Sequence, residues 1–302
     1  MITLLGKNSQ LSKCLVDKIK YPIDVLSSND IDLRDHKEIE VVLKKFSNKI
    51  LINCSAFNDV EDAESNQDAY KINHIGVQQI AKFCAANNIV FIHISTDFLF
   101  DGKKGLYIET DSTNPINHYG ESKALGEFAI QKLCKKYIII RTSWLYSHLE
   151  TKNNFLSKIK SLALKDNQVL FGADDIIGSP TSSLNLAEAI NKILESLDAY
   201  DFSLNLFHFS DVGSISRYRF LTEIIKKLNI KFNLSNSVQP IQNSYFNLSA
   251  PRPNNTSLDS TLFSETFKFR SQDWKKVKQY MDIASTASAN TKIRPTANDR
   301  KI

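Results

Sequence analysis

The sequence predicts an α/β protein built on a doubly wound parallel sheet. Three observations support this fold class: short apolar segments alternate with amphipathic helical patterns, the apolar segments are continuous, and a glycine, Gly6, follows the first of them. Continuous apolar strands are typical of parallel sheets that helices cover on both faces. In such folds the ligand crevice lies at the carboxyl ends of the strands.

The first half of the chain supplies most of the predicted sheet. Strands are predicted at residues 2–5, 23–26, 50–54, 89–94 and 137–141, and helices at residues 11–19, 36–46, 69–87 and 119–134. Repeated strand–helix units of this kind predict a Rossmann-like, dinucleotide-binding domain over residues 1–145.

The pattern loosens in the second half. Helices are predicted at residues 155–164, 185–197 and 218–228, extended segments at 167–171 and 206–209, and a loop around Pro240, Pro251 and Pro253. We expect residues near 185–212 to return to the first domain. Residues 146–184 and 213–285 would form a smaller, partly interleaved α/β substrate-binding lobe. Residues 286–302 lack an apolar period and are predicted to be a disordered tail.

Composition excludes several classes of partner. The net charge of +5 is modest, and the lysines fall mostly at the polar positions of amphipathic patterns, which indicates solvated helix faces and no nucleic-acid partner. No apolar run reaches membrane-spanning length. The four cysteines are far apart among apolar neighbours, and no Cys/His spacing fits a metal site. We therefore expect a cytoplasmic protein without a metal or a membrane partner.

The turn after the first strand resembles a dinucleotide-binding turn only in part. Gly6, Ser9 and Ser12 have the spacing of the three expected glycines, with serine in the second and third places. The second glycine normally lets the backbone approach a pyrophosphate, and the third lets the helix pack closely. Serine is small and can cap the helix. Taken alone, the segment fits an ordinary strand–helix turn equally well.

The residues that indicate chemistry lie between Ser95 and Lys123. Ser95 and Thr96 end the fourth predicted strand, while Tyr119 and Lys123 are four residues apart and share one helix face. A hydroxyl, a phenol and an ammonium are the groups that protonate a carbonyl oxygen during hydride delivery. The same tyrosine–lysine spacing also fits an exposed surface pair. In this context it predicts a nicotinamide-dependent carbonyl reductase.

Several further segments occur in a recognisable order along the chain. They are NCSA (53–56), STDFLFDG (95–102), ETD (109–111), PINHYG (115–120), RTSWLY (141–146) and GSPT (178–181), together with Asn73 and the Arg252-Pro253 pair. Through these segments the sequence resembles, from the first strand to about Asp259, the dTDP-4-dehydrorhamnose reductase family of extended short-chain dehydrogenases/reductases.

The resemblance implies a catalytic trio of Thr96, Tyr119 and Lys123. Tyr119 would give its proton to the C4 carbonyl oxygen of a sugar as hydride arrives from NADPH or NADH. Lys123 would lower the pKa of Tyr119 by favouring the phenolate, and would hold the nicotinamide ribose. Thr96 would hydrogen-bond the same carbonyl oxygen.

The resemblance also implies two binding sites. The cofactor site would contain Gly6, Ser9, Gln10, Leu11, Ser27, Asp32, Leu33, Ser55, Ala56, Phe57, Asn73, Ser95, Tyr119 and Lys123. The site for a nucleotide sugar, most naturally dTDP-linked, would contain Thr96, Asp97, Phe98, Trp144, Asn154, Gly178, Thr181 and Arg252. Arg252 would bind the diphosphate, although a surface arginine is the alternative. Trp144 fits the core as well as a ligand contact. His93 is predicted to be a satisfied core histidine.

Three departures from the family pattern affect specificity. The cofactor turn has serines in place of two glycines. The segment after the second strand shows neither an arginine for a 2′-phosphate nor a strand-end acid for a ribose, so the choice between NADPH and NADH stays open. Ile176 and Ile177 replace a glutamine and an aromatic residue, which alters the predicted sugar pocket.

We therefore expect a reductase of a nucleotide-linked 4-keto-6-deoxy sugar that serves surface polysaccharide synthesis. A second copy of the chain, in a homodimer, is the expected protein partner. One alternative is an epimerase or dehydratase of the same superfamily, but a dehydratase needs an acid/base pair after Thr96 and only Asp97 is present. The other alternative is a non-catalytic regulatory subunit, such as the nucleotide-binding partner of methionine adenosyltransferase. The intact trio argues against it.

Overall fold

The computed structural model describes residues 1–46, 48–147 and 155–276. Strands in these residues are β1 (Ile2–Leu5), β2 (Ile23–Leu26), β3 (Ile50–Asn53), β4 (Val90–Thr96), β5 (Tyr137–Thr142), β6 (Leu145–Tyr146), β7 (Val169–Ala173), β8 (Ile177–Gly178), β9 (Thr181–Ser182), β10 (Leu206–His208), β11 (Ile215–Ser216) and β12 (Ser237–Ile241).

Helices in the same residues are α1 (Gln10–Lys18), α2 (Glu38–Leu43), α3 (Asp68–Tyr70), α4 (Val77–Ala86), α5 (His118–Leu133), α6 (Phe155–Ala163), α7 (Ser183–Ser196), α8 (Arg217–Phe232) and α9 (Thr261–Phe267). A π-helical stretch, Lys71–Gly76, joins α3 to α4, so the helix predicted over residues 69–87 is one continuous helical run.

Six strands form the central sheet in the order β10-β5-β4-β3-β1-β2. All neighbouring pairs are parallel. The chain leaves β1 toward β2 on one side and later fills the other side from β3 onward. This reversal places a crevice at the carboxyl ends of β1 and β3. The predicted doubly wound, Rossmann-like fold is confirmed.

Helices bury both faces of the sheet. On one face α1, α7 and α9 contribute a core that includes Leu15, Ile190 and Phe263. On the other face α2, α4 and α5 contribute a core that includes Ile39 and Ile80. Helices therefore cover the apolar side chains on both faces of the strands, as the continuous hydrophobicity of the strands predicts.

A smaller lobe stands beside this sheet. β7 and β12 pair in parallel, and α6 and α8 cover them over a separate core that includes Phe220. Two-residue pairings, β6 with β9 and β8 with β11, link the lobe segments. β12 was not predicted, because Pro240 and its polar neighbours resemble a loop. The pairing is possible because β12 is an edge strand, where proline is tolerated.

The described residues contain no helix that is both long and apolar enough to cross a membrane. Within them, no group of three or more His, Cys, Asp or Glu side chains is arranged to hold a metal ion. The thiols of Cys14, Cys84 and Cys134 are buried, and Cys54 is half-buried. The predicted tail, residues 286–302, lies outside the described residues.

Candidate active site

The turn between β1 and α1 requires glycine at its first position. Gly6 has a φ of +94°, and a Cβ there would lie 2.9 Å from the backbone nitrogen of Ser55. Ser9 is the N-cap of α1, since its hydroxyl accepts the Ser12 backbone N–H at 3.0 Å. The serine in the second glycine place therefore caps the helix whose N-terminus faces the crevice, where a phosphate is favoured.

Two predicted cofactor residues on α1 differ in what they can offer. The Gln10 Nε2 donates to the Leu145 carbonyl at 2.9 Å, while its Oε1 is buried without a partner among the described residues. The Leu11 side chain is buried in the sheet core. Its side chain is therefore not a cofactor contact, because core packing uses it, and only its backbone remains available.

The turn after β2 contains an acid, Asp30, that sequence analysis did not name. The backbone N–H and the hydroxyl of Ser27 both donate to Asp30 Oδ2, at 2.7 and 2.6 Å. These hydrogen bonds, helped by nearby Lys7, lower the pKa of Asp30. An acid about twenty residues beyond the glycine turn is the usual ribose partner in dinucleotide folds. The expectation concerned an acid at the strand end, whereas Asp30 lies four residues beyond Leu26. Its spacing from Gly6 makes it a candidate for the ribose contact.

The next two predicted cofactor residues are already engaged within the protein. The Asp32 carboxylate pairs with Arg34 at 2.7 Å, and Arg34 also reaches Asp68 at 3.3 Å. The Leu33 side chain is buried in the core under α2. An exposed ion pair engages the Asp32 side chain, and apolar packing engages the Leu33 side chain.

Asn73 supports the loop after β3 instead of facing the crevice. Its amide accepts the Phe57 N–H at 2.9 Å and donates to the Phe57 carbonyl at 3.0 Å and to the Ser122 hydroxyl at 3.1 Å. Asn73 is fully buried, so its predicted direct contact with a cofactor is not available. The loop that it holds, with Ser55, Ala56 and Phe57, remains half-exposed at the carboxyl edge of the sheet.

The predicted catalytic trio comes together at this edge. Thr96 is the last residue of β4, and α5 begins beside it with Asn117 as N-cap, whose side chain accepts the Gly120 N–H at 2.8 Å. Tyr119 and Lys123 therefore fall on the first turns of α5, and both are buried. The Thr96 hydroxyl hydrogen-bonds the Tyr119 phenol.

Tyr119 is held as a neutral phenol. Burial raises the pKa of Tyr119 to about 12, and the hydrogen bond from Thr96 opposes this rise. Lys123 does not lower that pKa here, because its Nζ donates to the Ile94 carbonyl at 2.7 Å and lies 3.2 Å from the His93 ring. Burial lowers the pKa of Lys123 itself to about 8. The expected effect of Lys123 on Tyr119 is thus absent from this arrangement.

The remaining features of the crevice fit a dinucleotide. The Ser95 hydroxyl is buried and has no hydrogen-bond partner among the described residues. A buried unpaired hydroxyl is costly, and a polar ligand group would satisfy it. Together with the close backbone approach at Gly6, this orphaned hydroxyl matches what a dinucleotide site needs.

Asp97 joins the sheet to the lobe. Its buried carboxylate accepts hydrogen bonds from the hydroxyls of Ser143, at 2.8 Å, and Thr256. Burial raises the pKa of Asp97. The Ser143 and Thr256 hydroxyls both bind Oδ2, and the Thr96 hydroxyl donates to Oδ1 at 3.3 Å. The predicted role of Asp97 as a direct substrate contact therefore does not fit, because protein hydroxyls already bind both oxygens.

Arg252 lies close to the reacting end of the crevice. The Phe98 ring meets Tyr119 edge-on with 5.7 Å between centroids, and the Arg252 guanidinium carbon is 5.8 Å from the Phe98 ring centre. Arg252 Nη2 donates to Glu61 at 2.6 Å, whereas Nη1 is buried without a partner in the described chain. Its side chain is 17% exposed, so the surface-arginine alternative does not hold.

The other predicted substrate residues are Trp144, Gly178, Thr181 and Asn154. Trp144 has a φ of +41° and packs against Gly178, where any Cβ would collide with the indole. Gly178 thus positions Trp144. Thr181 is fully buried and donates to the Ser179 carbonyl at 3.2 Å, so it is not a ligand contact. Asn154 lies outside the described residues.

A second arginine, Arg217, was missed. It is the first residue of α8, and its guanidinium carbon lies 3.6 Å from the Trp144 ring centre. Burial lowers its pKa to about 10, with Asp97 opposing and Arg252 reinforcing the change. Its backbone N–H donates to the Ile176 carbonyl at 2.9 Å, which connects it to the unusual isoleucine segment. In sequence it resembles an ordinary polar residue after a serine cap.

A doubly wound parallel sheet that carries a serine/threonine, tyrosine and lysine set at its crevice defines the class of short-chain dehydrogenases/reductases. The family model described as RmlD substrate binding domain matches residues 1–285. The chain belongs to the dTDP-4-dehydrorhamnose reductase family.

Individual relatives agree with this assignment. The chain is 33% identical over 277 residues to dTDP-4-dehydrorhamnose reductase of Aggregatibacter actinomycetemcomitans, covering 90% of this chain and 92% of that protein. It is 31% identical over 304 residues to the Escherichia coli K12 protein of the same name, covering 95% and 99%.

Solved structures show the same fold. The NADP complex of the Bacillus anthracis reductase has a TM-score of 0.82 at 29% identity, covering 91% of this chain and 95% of that one. The Clostridium acetobutylicum reductase has a TM-score of 0.83 at 29% identity, covering 94% and 99%.

Proposed function

We propose that the chain reduces the C4 keto group of a nucleotide-linked 4-keto-6-deoxy sugar similar to dTDP-4-dehydrorhamnose. The observation that carries the proposal is the buried Thr96, Tyr119 and Lys123 set at the carboxyl edge of the sheet, with Arg252 beside it. The curated relatives named dTDP-4-dehydrorhamnose reductase support it.

In this proposal Tyr119 is the proton donor. Bound NADPH or NADH supplies the hydride for the carbonyl carbon. The Tyr119 phenol keeps its proton at neutral pH, since its pKa lies near 12, and gives it to the carbonyl oxygen as negative charge develops there. The Thr96 hydroxyl orients the same oxygen. Lys123, as an ammonium, provides N–H donors for the nicotinamide ribose.

We infer that the Rossmann-like domain, residues 1–145 with the return near 185–212, holds the cofactor. The α1 N-terminus would face the diphosphate, and the Ser95 hydroxyl would satisfy a polar cofactor group. The NADP bound by the Bacillus anthracis relative supports this site. Lys7 and Asp30 would act in opposite directions on an adenosine 2′-phosphate, because one carries positive and the other negative charge.

We infer that the lobe, residues 146–184 and 213–285, binds the sugar nucleotide. Arg252, aimed by Glu61, would bind the diphosphate through its unpaired Nη1. Trp144 and Arg217 would line the sugar side. A cytoplasmic location and a homodimer stay predictions, and sedimentation of the purified chain tests the second.

The test is an NADPH- and NADH-oxidation assay with dTDP-4-dehydrorhamnose, with GDP- and UDP-linked 4-keto sugars as comparators. Tyr119→Phe is expected to lose oxidation by at least about a hundredfold while calorimetry shows unchanged cofactor binding. Cofactor binding without oxidation of any sugar would support the regulatory alternative. Sugar epimerisation without net cofactor use would support the epimerase alternative.

A further inference from the structure

A buried chain of polar groups stands behind Lys123. Its Nζ lies 3.2 Å from His93 Nε2, and His93 Nδ1 lies 3.2 Å from Asn53 Nδ2. The Asn53 Oδ1 accepts the backbone N–H of Ser55 at 2.9 Å. Asn53 and His93 have no exposed surface.

The Ser55 bond fixes which hydrogen the imidazole carries. Because Asn53 Oδ1 holds an N–H, the amide nitrogen faces His93, and an amide nitrogen only donates. His93 Nδ1 must therefore accept. Burial, and secondarily Lys123, lower the pKa of His93 well below its usual value, so the ring is neutral. A neutral imidazole has one N–H, which then sits on Nε2, facing Lys123.

An N–H that faces Nζ forms a hydrogen bond only if Nζ presents a lone pair. The neutral amine does so and still donates to the Ile94 carbonyl. With an ammonium, an N–H of Lys123 Nζ would point at the N–H of His93 Nε2, and two donors cannot form a hydrogen bond. Glu127 and Cys54 also act on Lys123, and both favour its ammonium, although Arg141 pairs with Glu127 at 2.7 Å.

We propose that Asn53 and His93 are positioning residues: by fixing the imidazole tautomer they disfavour the Lys123 ammonium and so set the pH above which the lysine no longer presents an ammonium to the cofactor ribose. The tautomer part stands on the contacts of Asn53 and His93 and on the burial of the ring. The effect on turnover rests on the proposed reductase function, so the two parts need separate measurements.

The first measurement is the ¹⁵N NMR spectrum of the full chain labelled at histidine, with the His93 signal assigned by its loss in His93→Phe. We expect the Nε2–H tautomer in the unmodified protein. In Asn53→Asp we expect Nδ1–H, because a carboxylate accepts from Nδ1. An Nδ1–H or imidazolium signal in the unmodified protein would overturn the proposal without need of any variant at Asn53.

The second measurement is the pH profile of NADPH oxidation. Asn53→Asp is expected to move the alkaline limb upward by about one pH unit or more, because Nε2 then accepts from the ammonium and the carboxylate also favours that charge. Asn53→Ala removes the amide donor without adding charge, so it should move the limb in the same direction by less.

His208→Gln is the matched control. His208 is equally buried, but its ring contacts the Tyr107 carbonyl and Arg141 instead of Lys123. It should leave the limb in place. A switched tautomer with an unmoved limb in both Asn53 variants would overturn the link to turnover. A correct tautomer in a protein that oxidises no cofactor would instead refute the reductase function.

Discussion

The guanidinium carbon of Arg217 lies 3.6 Å from the centre of the Trp144 ring, and no described carboxylate forms an ion pair with it. A cation that is half-buried on an aromatic face has donors available for a ligand. We expect Arg217→Met to raise the KM for the nucleotide sugar about tenfold, a loss of about 1.4 kcal/mol, with the KM for NADPH unchanged.

Steady-state kinetics with each substrate varied in turn measure this split. Arg219→Met on the exposed face of the same helix is the control and should change neither KM. An equal rise in both KM values for Arg217→Met would mean that the residue supports the fold and not the sugar site.

Asp30 is expected to limit the preference for NADPH. Its carboxylate, which Ser27 orients, repels a 2′-phosphate and suits a free ribose hydroxyl. Asp30→Asn should raise the ratio of kcat/KM for NADPH over NADH by about fivefold, since exposed charges contribute modestly. Lys7→Met should lower the ratio. If both changes move it in the same direction, these side chains do not face the adenosine ribose.

Gly6→Ala should abolish cofactor binding in calorimetry, because the new Cβ meets the backbone of the loop after β3 and pushes the turn away. Gly213→Ala is the matched control. Its φ is +101°, so alanine there would meet similar backbone strain, but the atom nearest to the new Cβ is a Trp274 ring carbon at 3.5 Å. Cofactor binding by Gly6→Ala equal to that of Gly213→Ala would contradict the proposed cofactor turn.

The Lys123 charge is expected to reduce stability below pH 8. Burial lowers the pKa of Lys123 from 10.5 to about 8, so between these values the unfolded chain holds a proton that the native protein has released. Native stability therefore rises with pH across this window. The melting temperature of Lys123→Met, relative to the unmodified protein, should fall as pH increases from 8 to 10. A constant difference would show that Lys123 titrates normally.

The buried pair of Arg141 and Glu127, at 4% and 3% side-chain exposure, gives a stability prediction. Glu127→Gln leaves a buried guanidinium without its counter-charge and should cost about 3 to 5 kcal/mol in chemical denaturation. Glu40→Gln removes the exposed partner of Lys44, where both side chains are more than 60% exposed. It should cost less than about 0.5 kcal/mol. Similar losses for the two variants would contradict this account.

Sequence reasoning predicted the sheet and the shared helix face of Tyr119 and Lys123 because both depend on local information. Continuous apolar strands indicate burial on two faces, and a spacing of four residues places Tyr119 and Lys123 on one helix face. A residue's position in a sequence motif does not determine which groups its side chain contacts. Leu11 and Asn73 hold motif positions, yet one packs in the core and the other holds a loop.

Other features depend on contacts between distant segments. The candidate role of Arg217 depends on its contact with Trp144. Asp97 accepts a hydrogen bond from Thr256, which lies near the end of the lobe. No local pattern encodes such pairings. Asp30 differs from these two residues, because its distance from Gly6 along the chain can be read directly from the sequence.

The last strand of the sheet, β10, is translated after the first segment of the lobe, and it covers the edge of β5. A nascent chain that ends before Leu206 therefore exposes the unpaired edge of Tyr137–Thr142, a run rich in isoleucine. Such edges recruit other strands and promote aggregation. Ribosome-bound intermediates of this length therefore carry an aggregation-prone edge until Leu206–His208 is made, and truncation before Leu206 should yield insoluble product.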